Sequence, residues 1–409
     1  MYINLGYLRG QIRLRNPEIT NNSDNIGSML KYHRLKLNLT LEDSSDGICS
    51  VSYLSKIENS LIRPSEKYIL QLEERYNAKF FNIGNQHNEL LHQLIENLFY
   101  EQEEVIDDAL FTEDTYQSRL NKTGYLISRN KFNEAKLNHQ ELNPYIKNLN
   151  GIELKFYIFL TSKLLSFEGR LKDAFSVLNI ETDHYPLLHL DILIASERIH
   201  LATKMNHHPY IVLTYEALID QCIENEFYHK VHELKYHYLT YMVQFINEPM
   251  LNELLDKSKN LKPDQRAFVK AKYFFMNMDY ELAIETLNSE PLNSKASLEL
   301  KLLILNRLNQ SSIMNESLKS LSNIDNKQLK LIHAYLVLKN TRATNIESLV
   351  QFILTEVLKS NDLPDDILYL NFWYEEGLQC LKKVGYYKDA TKLGRLIFRK
   401  IKDLTTIFD

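Results

Sequence analysis

Between residues 26 and 76 the apolar positions recur at intervals of three and four in short runs separated by caps and turns, which predicts four short helices. Ile26, Met29, Leu30, His33 and Leu37 share one face of the first, with Ser23 or Asp24 as its cap. Thr40 caps the second, and Asp43 three residues on completes a rough capping box. Gly47-Ile48-Cys49 forms a turn, and Ser50 then caps a third helix with Leu54 and Ile57 on its inner stripe. Val51, Ser52, Ser55 and Lys56 fall on its other side. After Arg63-Pro64-Ser65 breaks the chain, Ser65 caps a fourth helix that carries Ile69, Leu72 and Tyr76 inward.

Beyond residue 80 a looser recurrence takes over. Where two helices cross closely, the second needs a large residue at its start and a small one three later. Phe132 with Ala135, Leu171 with Ala174, Tyr228 with Val231, Tyr280 with Ala283 and Tyr387 with Ala390 fit that rule. Leu178, Leu234, Leu287 and Leu393 continue the buried faces, while Gly169-Arg170 and Gly385-Tyr386 supply turns between helices. The shortest spacing between marks is about 40 to 55 residues, longer than the usual ~34, so the repeats are degenerate. The expected fold is all-α: an N-terminal helix-turn-helix headpiece, then a right-handed superhelix of degenerate tetratricopeptide-like helix pairs with a concave inner face. The expected divisions are a flexible leader over 1–24, the headpiece over 25–80 and the repeats over 81–409. Arg9, Arg13 and Arg15 in the leader offer an alternative, an arm for the minor groove.

Composition narrows the picture. No segment reaches the ~20 apolar residues of a membrane span, and no signal peptide is visible, so a cytoplasmic protein without membrane partners is expected. The net charge of -5 excludes a general nucleic-acid binder, although residues 1 to 80 carry about two more basic than acidic side chains. Any DNA contact is therefore local. Three scattered cysteines, Cys49, Cys222 and Cys380, argue against both a disulfide framework and a zinc site. His232-Glu233 with His237 fails as a zinc-protease motif, because the second histidine comes five residues on and turns off the shared face. No phosphate loop or nucleophile motif is present. Neither an enzyme nor a cofactor is expected.

Leu30, Arg34, Leu39-Thr40, the run GICS from Gly47 and YLSKIE from Tyr53, with Pro64-Ser65, resemble the helix-turn-helix of phage-repressor type regulators. GICS followed by YLSKIEN is similar to the peptide-pheromone receptors of Gram-positive bacteria, the Rap, Rgg, NprR, PlcR and PrgX group. That resemblance implies a transcription regulator whose repeat domain senses a short signalling peptide and whose headpiece binds double-stranded operator DNA as a homodimer. It pairs Arg34 with Glu58 and turns Ser50, Val51, Ser52, Tyr53, Ser55, Lys56 and Arg63 toward DNA. Leu41 stands where the group usually has a phosphate-touching glutamine, Ser44 and Ser45 where it has leucine and alanine, and Ser60 where it has glycine. A weak headpiece is the expected result.

For the peptide, carboxamides that both donate to and accept from a backbone are the expected holders: Asn277, Asn306 and Asn371. Tyr236, Tyr241 and Trp373 are aromatic candidates, though such residues commonly belong to a core. Two other functions fit the same sequence, a repeat scaffold that sequesters a protein partner with a decayed headpiece, and a phage-borne peptide receptor governing lysis and lysogeny.

Overall fold

The computed structural model describes residues 4–15, 26–59, 61–62, 64–79, 83–102, 106–107, 111, 115–182, 186–291, 294–320, 327–341, 345–358, 363 and 365–405. Every regular element among them is helical. The described chain falls into two compact units, Met1–Leu165 with Asp173–Ile194, and Ser166–Lys172 with Ala195–Asp409.

Part of the segment read as a leader is ordered. Asn4 caps helix α1 (Leu5–Arg13) by accepting from the Tyr7 amide, and Leu8 is buried. Arg15 is buried too, so it is not free to enter a minor groove. The proposed caps Ser23 and Asp24 lie outside the described residues, as do Ser60 and Arg63.

The headpiece comprises α2 (Ile26–Lys36), α3 (Leu41–Ser45), α4 (Val51–Glu58) and α5 (Glu66–Tyr76). Ile26, Met29, Leu30, Leu54, Ile57, Ile69, Leu72 and Tyr76 form its core. Thr40 and Asp43 make the reciprocal capping box, with the Asp43 amide donating to Thr40 Oγ1 at 3.1 Å and the Thr40 amide to Asp43 at 3.0 Å. Gly47 adopts φ +69°, the left-handed backbone that glycine takes without steric cost. Two expectations differ. Leu37 is exposed because α2 stops at Lys36 and the chain reverses through left-handed Asn38. Ser65 takes the extended conformation of a cap but makes no side-chain capping bond.

The repeat helices begin with α6 (Ile83–Phe99), α7 (Tyr116–Ser128) and α8 (Phe132–Gln140), then a 3-10 turn over Asn143–Asn148. There follow α9 (Gly151–Phe167), α10 (Leu171–Leu178), α11 (Leu188–Met205), α12 (His208–Glu224) and α13 (Tyr228–Met242). Next come α14 (Glu248–Lys257), α15 (Pro263–Met276), α16 (Tyr280–Asn288), α17 (Lys295–Arg307) and α18 (Ser311–Ser320). The last described elements are α19 (Lys327–Asn340), α20 (Ile346–Phe352) with a π-helical turn, α21 (Ile367–Lys383) and α22 (Tyr387–Thr405). Each large residue of the five predicted pairs opens a helix, and Ala135, Ala174, Val231, Ala283 and Ala390 are all buried. So are Leu178, Leu234, Leu287 and Leu393. The crossings are close: a Cβ added at Gly377 of α21 would collide with Leu393 of α22.

One turn geometry recurs. Asn130, Gly169, Asn206, Glu226, Met278, Asn309 and Gly385 all have positive φ, each two residues before the next helix begins. At Met278 its amide donates to Phe275 O at 3.1 Å and the Asp279 amide to Phe274 O at 2.9 Å, the bonding of a Schellman close. The same pair of bonds occurs at Asn130, Asn206, Glu226, Asn309 and Gly385. Asn206 and Asn309 thereby mark helix joins that carry no large-small signature.

Glutamate and methionine hold the left-handed backbone at a cost of about 1–2 kcal/mol that glycine avoids, partly offset by glycine's greater freedom when unfolded. Glu226→Gly and Met278→Gly are therefore each expected to stabilise the protein by about 0.5–1 kcal/mol. Gly385→Ala is expected to destabilise it. Urea unfolding of the three variants beside the parent checks both signs.

Candidate functional site

Helix α4 has the character of a reading helix because its two sides differ chemically. Ser50 Oγ accepts the Tyr53 amide at 3.1 Å and fixes the start. Leu54, Ile57 and Glu58 are buried, whereas Val51, Ser52 and Lys56 are exposed. Tyr53 is half-buried against Tyr68 of α5, with ring centroids 5.2 Å apart. Ser55 is half-buried, and its carbonyl accepts the Asn59 carboxamide at 2.8 Å. The unencumbered face is therefore Val51, Ser52 and Lys56.

Beneath that face lies the predicted ion pair. Arg34 Nε donates to Glu58 Oε1 at 2.6 Å and Nη2 to Oε2 at 2.8 Å, while Nη1 reaches Leu39 O at 2.9 Å. The fork is bidentate and both partners are at most a tenth exposed. The hydrogen bonds that Arg34 donates to Glu58 raise its pKa, against a smaller effect of burial. Ser44 and Ser45 are buried despite their hydroxyls. The Arg75 guanidinium covers the end of α3 by donating to Asp43 O at 2.7 Å.

The reading helix is also tied to the first repeats, within the same unit. Asn148 Nδ2 donates to Glu58 O at 2.9 Å and Lys147 Nζ to Asn59 Oδ1 at 2.6 Å. Both donors belong to the Asn143–Asn148 turn. The Tyr145 ring of that turn stacks on Tyr116 at 5.8 Å and lies 6.3 Å from Tyr32 of α2. Beside it, Arg15 Nε donates to Leu149 O at 2.5 Å. Glu153 caps α9 reciprocally with Asn150 through two bonds of 2.9 Å. Burial pushes the Glu153 carboxyl up to about 7, despite opposing effects of the Asn150 amide and Arg15.

In the second unit a recess of about 390 Å3 opens between α11, α13, α15, α17 and α21. Asn371, Tyr236 and Tyr241 line it, as do Lys204, Lys272, His200 and His237. Burial raises the Tyr241 pKa to about 12, with a smaller contribution from Tyr238, and the hydroxyl meets His208 Nδ1. The other two asparagines stand elsewhere. Asn277 is exposed and donates to Tyr273 O at the end of its own helix. Asn306 is buried between Glu376 and Lys339, its amide and carbonyl both engaged at 2.8 Å. Trp373 is fully buried among Tyr335 and Phe372. Sequence reasoning did not single out Lys204 or Lys272, since lysines are abundant in this chain and neither sits in a motif. His237 was visible only as part of the failed zinc motif. Among the described residues no cluster of three or more histidine, cysteine or acidic groups could hold a metal ion. None of the described helices is long and apolar enough to cross a membrane.

Residues 30–80 match the helix-turn-helix family model, so the headpiece is a helix-turn-helix domain by both sequence family and geometry. A search of curated proteins returns no match. Among solved structures, the chain is similar to the apo form of the quorum sensor NprR from B. thuringiensis. Identity is 11%, coverage 81% of this chain and 99% of that one, and the TM-score 0.46. It is also similar to Bacillus thuringiensis PlcR in complex with the peptide PapR7 and DNA. There identity is 12%, coverage 64% and 99%, and the TM-score 0.32.

Because the Arg34–Glu58 pair is buried, Glu58→Ala should strand a cation and cost about 3–5 kcal/mol. Arg34→Met with Glu58→Leu should cost less than Glu58→Ala alone. Hydrogen exchange of the headpiece amides in the full chain reads the comparison. For Glu153 the folded pKa lies above the usual 4.5, so its contribution is complete below that value and is lost as pH rises through about 7. Glu153→Gln should thus become more favourable, relative to the parent, at pH 8 than at pH 5 in denaturant melts.

Proposed function

We propose that this chain is a transcription regulator that binds double-stranded operator DNA through α4 and is switched by a short signalling peptide held in the recess of the second unit. The observation that carries the reading is the sidedness of α4. The helix offers Val51 and Ser52 of its first turn and Lys56 of its last to solvent while Leu54, Ile57 and the Arg34–Glu58 fork hold its back. A helix presented this way can enter a major groove, where an apolar side chain meets thymine methyl groups and an ammonium meets guanine acceptors or phosphate. Ser50, Tyr53, Ser55 and Arg63 complete the expected DNA-facing set. A regulator of this kind acts in the cytoplasm as a homodimer, because a two-fold pair of reading helices fits a palindromic operator.

The peptide reading is supported by the recess, whose aromatic walls at Tyr236 and Tyr241 and free carboxamide at Asn371 suit an extended backbone with side chains. Switching then requires that the peptide bind one conformation of the repeats more tightly than another.

Selection of bound sequences from a randomised duplex library by the full chain tests the DNA half. A palindromic consensus should emerge. Lys56→Ala should weaken binding to it by about 1–3 kcal/mol at fixed salt, and Val51→Ser should change preference at one base pair. A chain that enriches no sequence at about 100 mM salt would overturn the reading.

A further inference from the structure

The recess contains four acidic and basic side chains, Lys204, Lys272, Glu299 and Asp366, and they are not equivalent. Asp366 caps α21: its Oδ1 accepts the Leu368 amide at 2.9 Å, and the Tyr369 amide bonds it too. Glu299 accepts a short hydrogen bond from the Tyr369 hydroxyl. His200 and His237 are bonded to each other, with Nδ1 atoms 3.2 Å apart. Thr203 and Thr240 donate to carbonyls of their own helices, and Asn206 exchanges hydrogen bonds with Gln244. What remains is distinctive. Among the described residues, the ammonium groups of Lys204 and Lys272 have neither a hydrogen bond nor an ion pair, and the Asn371 carboxamide has no partner.

Both lysines are only partly exposed. Burial lowers the Lys272 pKa, the Asp366 charge opposes that effect, and the Lys204 charge lowers it further. The two cations are thus close enough to feel one another, and the nearby carboxylate is committed to a helix N-terminus. Keeping two ammonium groups half-withdrawn from water, with the Asp366 charge near but no direct hydrogen bond or ion pair, costs free energy that an incoming anion would recover.

Resting on the peptide reading above, we infer that this recess is a carboxylate anchor: Lys204 and Lys272 clamp a carboxylate of the peptide, and Asn371 bonds the adjoining backbone. A carboxylate can take a donor from each lysine on its two oxygens, and its charge relieves the repulsion between them. Phe268, Met276 and Leu300 supply apolar wall for the residue beside it. The carboxylate comes from the peptide's own C-terminus or from an aspartate or glutamate side chain.

Affinity-selection mass spectrometry on the full-length protein tests this with three pools of N-acetylated linear heptapeptides. One pool has free C-termini and lacks Asp and Glu, the second is C-amidated and lacks both, and the third is C-amidated with one Glu in every member. The wild-type protein should retain a carboxylate-bearing pool about tenfold or more over the neutral amide pool, and whichever pool wins identifies the source of the anion. Lys204→Gln with Lys272→Gln should abolish that preference, whereas Lys204→Arg with Lys272→Arg should keep it and shows that the site tolerates substitution. Peptides retained equally with and without a carboxylate would overturn the anchor while leaving the peptide reading intact. So would a preference that survives in the double Gln variant. Retention of no pool would overturn both.

Discussion

A chain made of helices must end each of them without leaving the last carbonyls buried and unbonded, and here one local arrangement meets that need repeatedly. A left-handed residue swings the backbone around, and its own amide and the next one return to the carbonyls of the preceding turn. The reversal brings the next helix back against its predecessor with a register set by where that residue falls. Small residues such as Ala135, Ala283 and Ala390 can then occupy the crossing, because the turn has already aimed the two helices at each other. Packing on both sides sustains the left-handed backbone even at Glu226 and Met278, where local preference opposes it.

That constraint explains what could be read from the residues and what could not. The headpiece was legible because its caps and inner stripe involve neighbours within a few turns of sequence, and Thr40, Ser50 and Leu54 each fell where pattern placed them, whereas the Arg34–Glu58 pair spans 24 residues and was expected only from the family resemblance. Five repeat joins were legible from a large residue and a small one three apart. The joins at Asn206 and Asn309 were not, since their turns are asparagines that propensity alone does not distinguish from loop residues. The recess was the least legible. Its walls come from helices spread over residues 166 to 371, and no local pattern says that Lys204, Lys272 and Asn371 converge while Asn277 and Asn306 do not. Asn277 closes its own helix and Asn306 satisfies Glu376, uses of a carboxamide that serve the fold equally well.

The N-terminal segment shows the opposite failure. It was read as a leader because it precedes the headpiece pattern, yet Leu8 and Arg15 are buried. Long-range bonds such as Arg15 to Leu149 O leave no trace in a sequence.

The short turn over Asn143–Asn148 bears on how such proteins can be recombined. DNA-binding headpieces are commonly treated as interchangeable cassettes cut at the end of their last helix. In this chain a cut after residue 80 would remove Asn148 from Glu58 O, Lys147 from Asn59 and Tyr145 from Tyr32, uncovering the far end of the reading helix. The portable cassette is therefore longer than the helix-turn-helix and extends through the start of α9. Exchange of specificity between regulators of this build is constrained by the match between the end of one helix and a turn some ninety residues later, as much as by the bases that the helix reads.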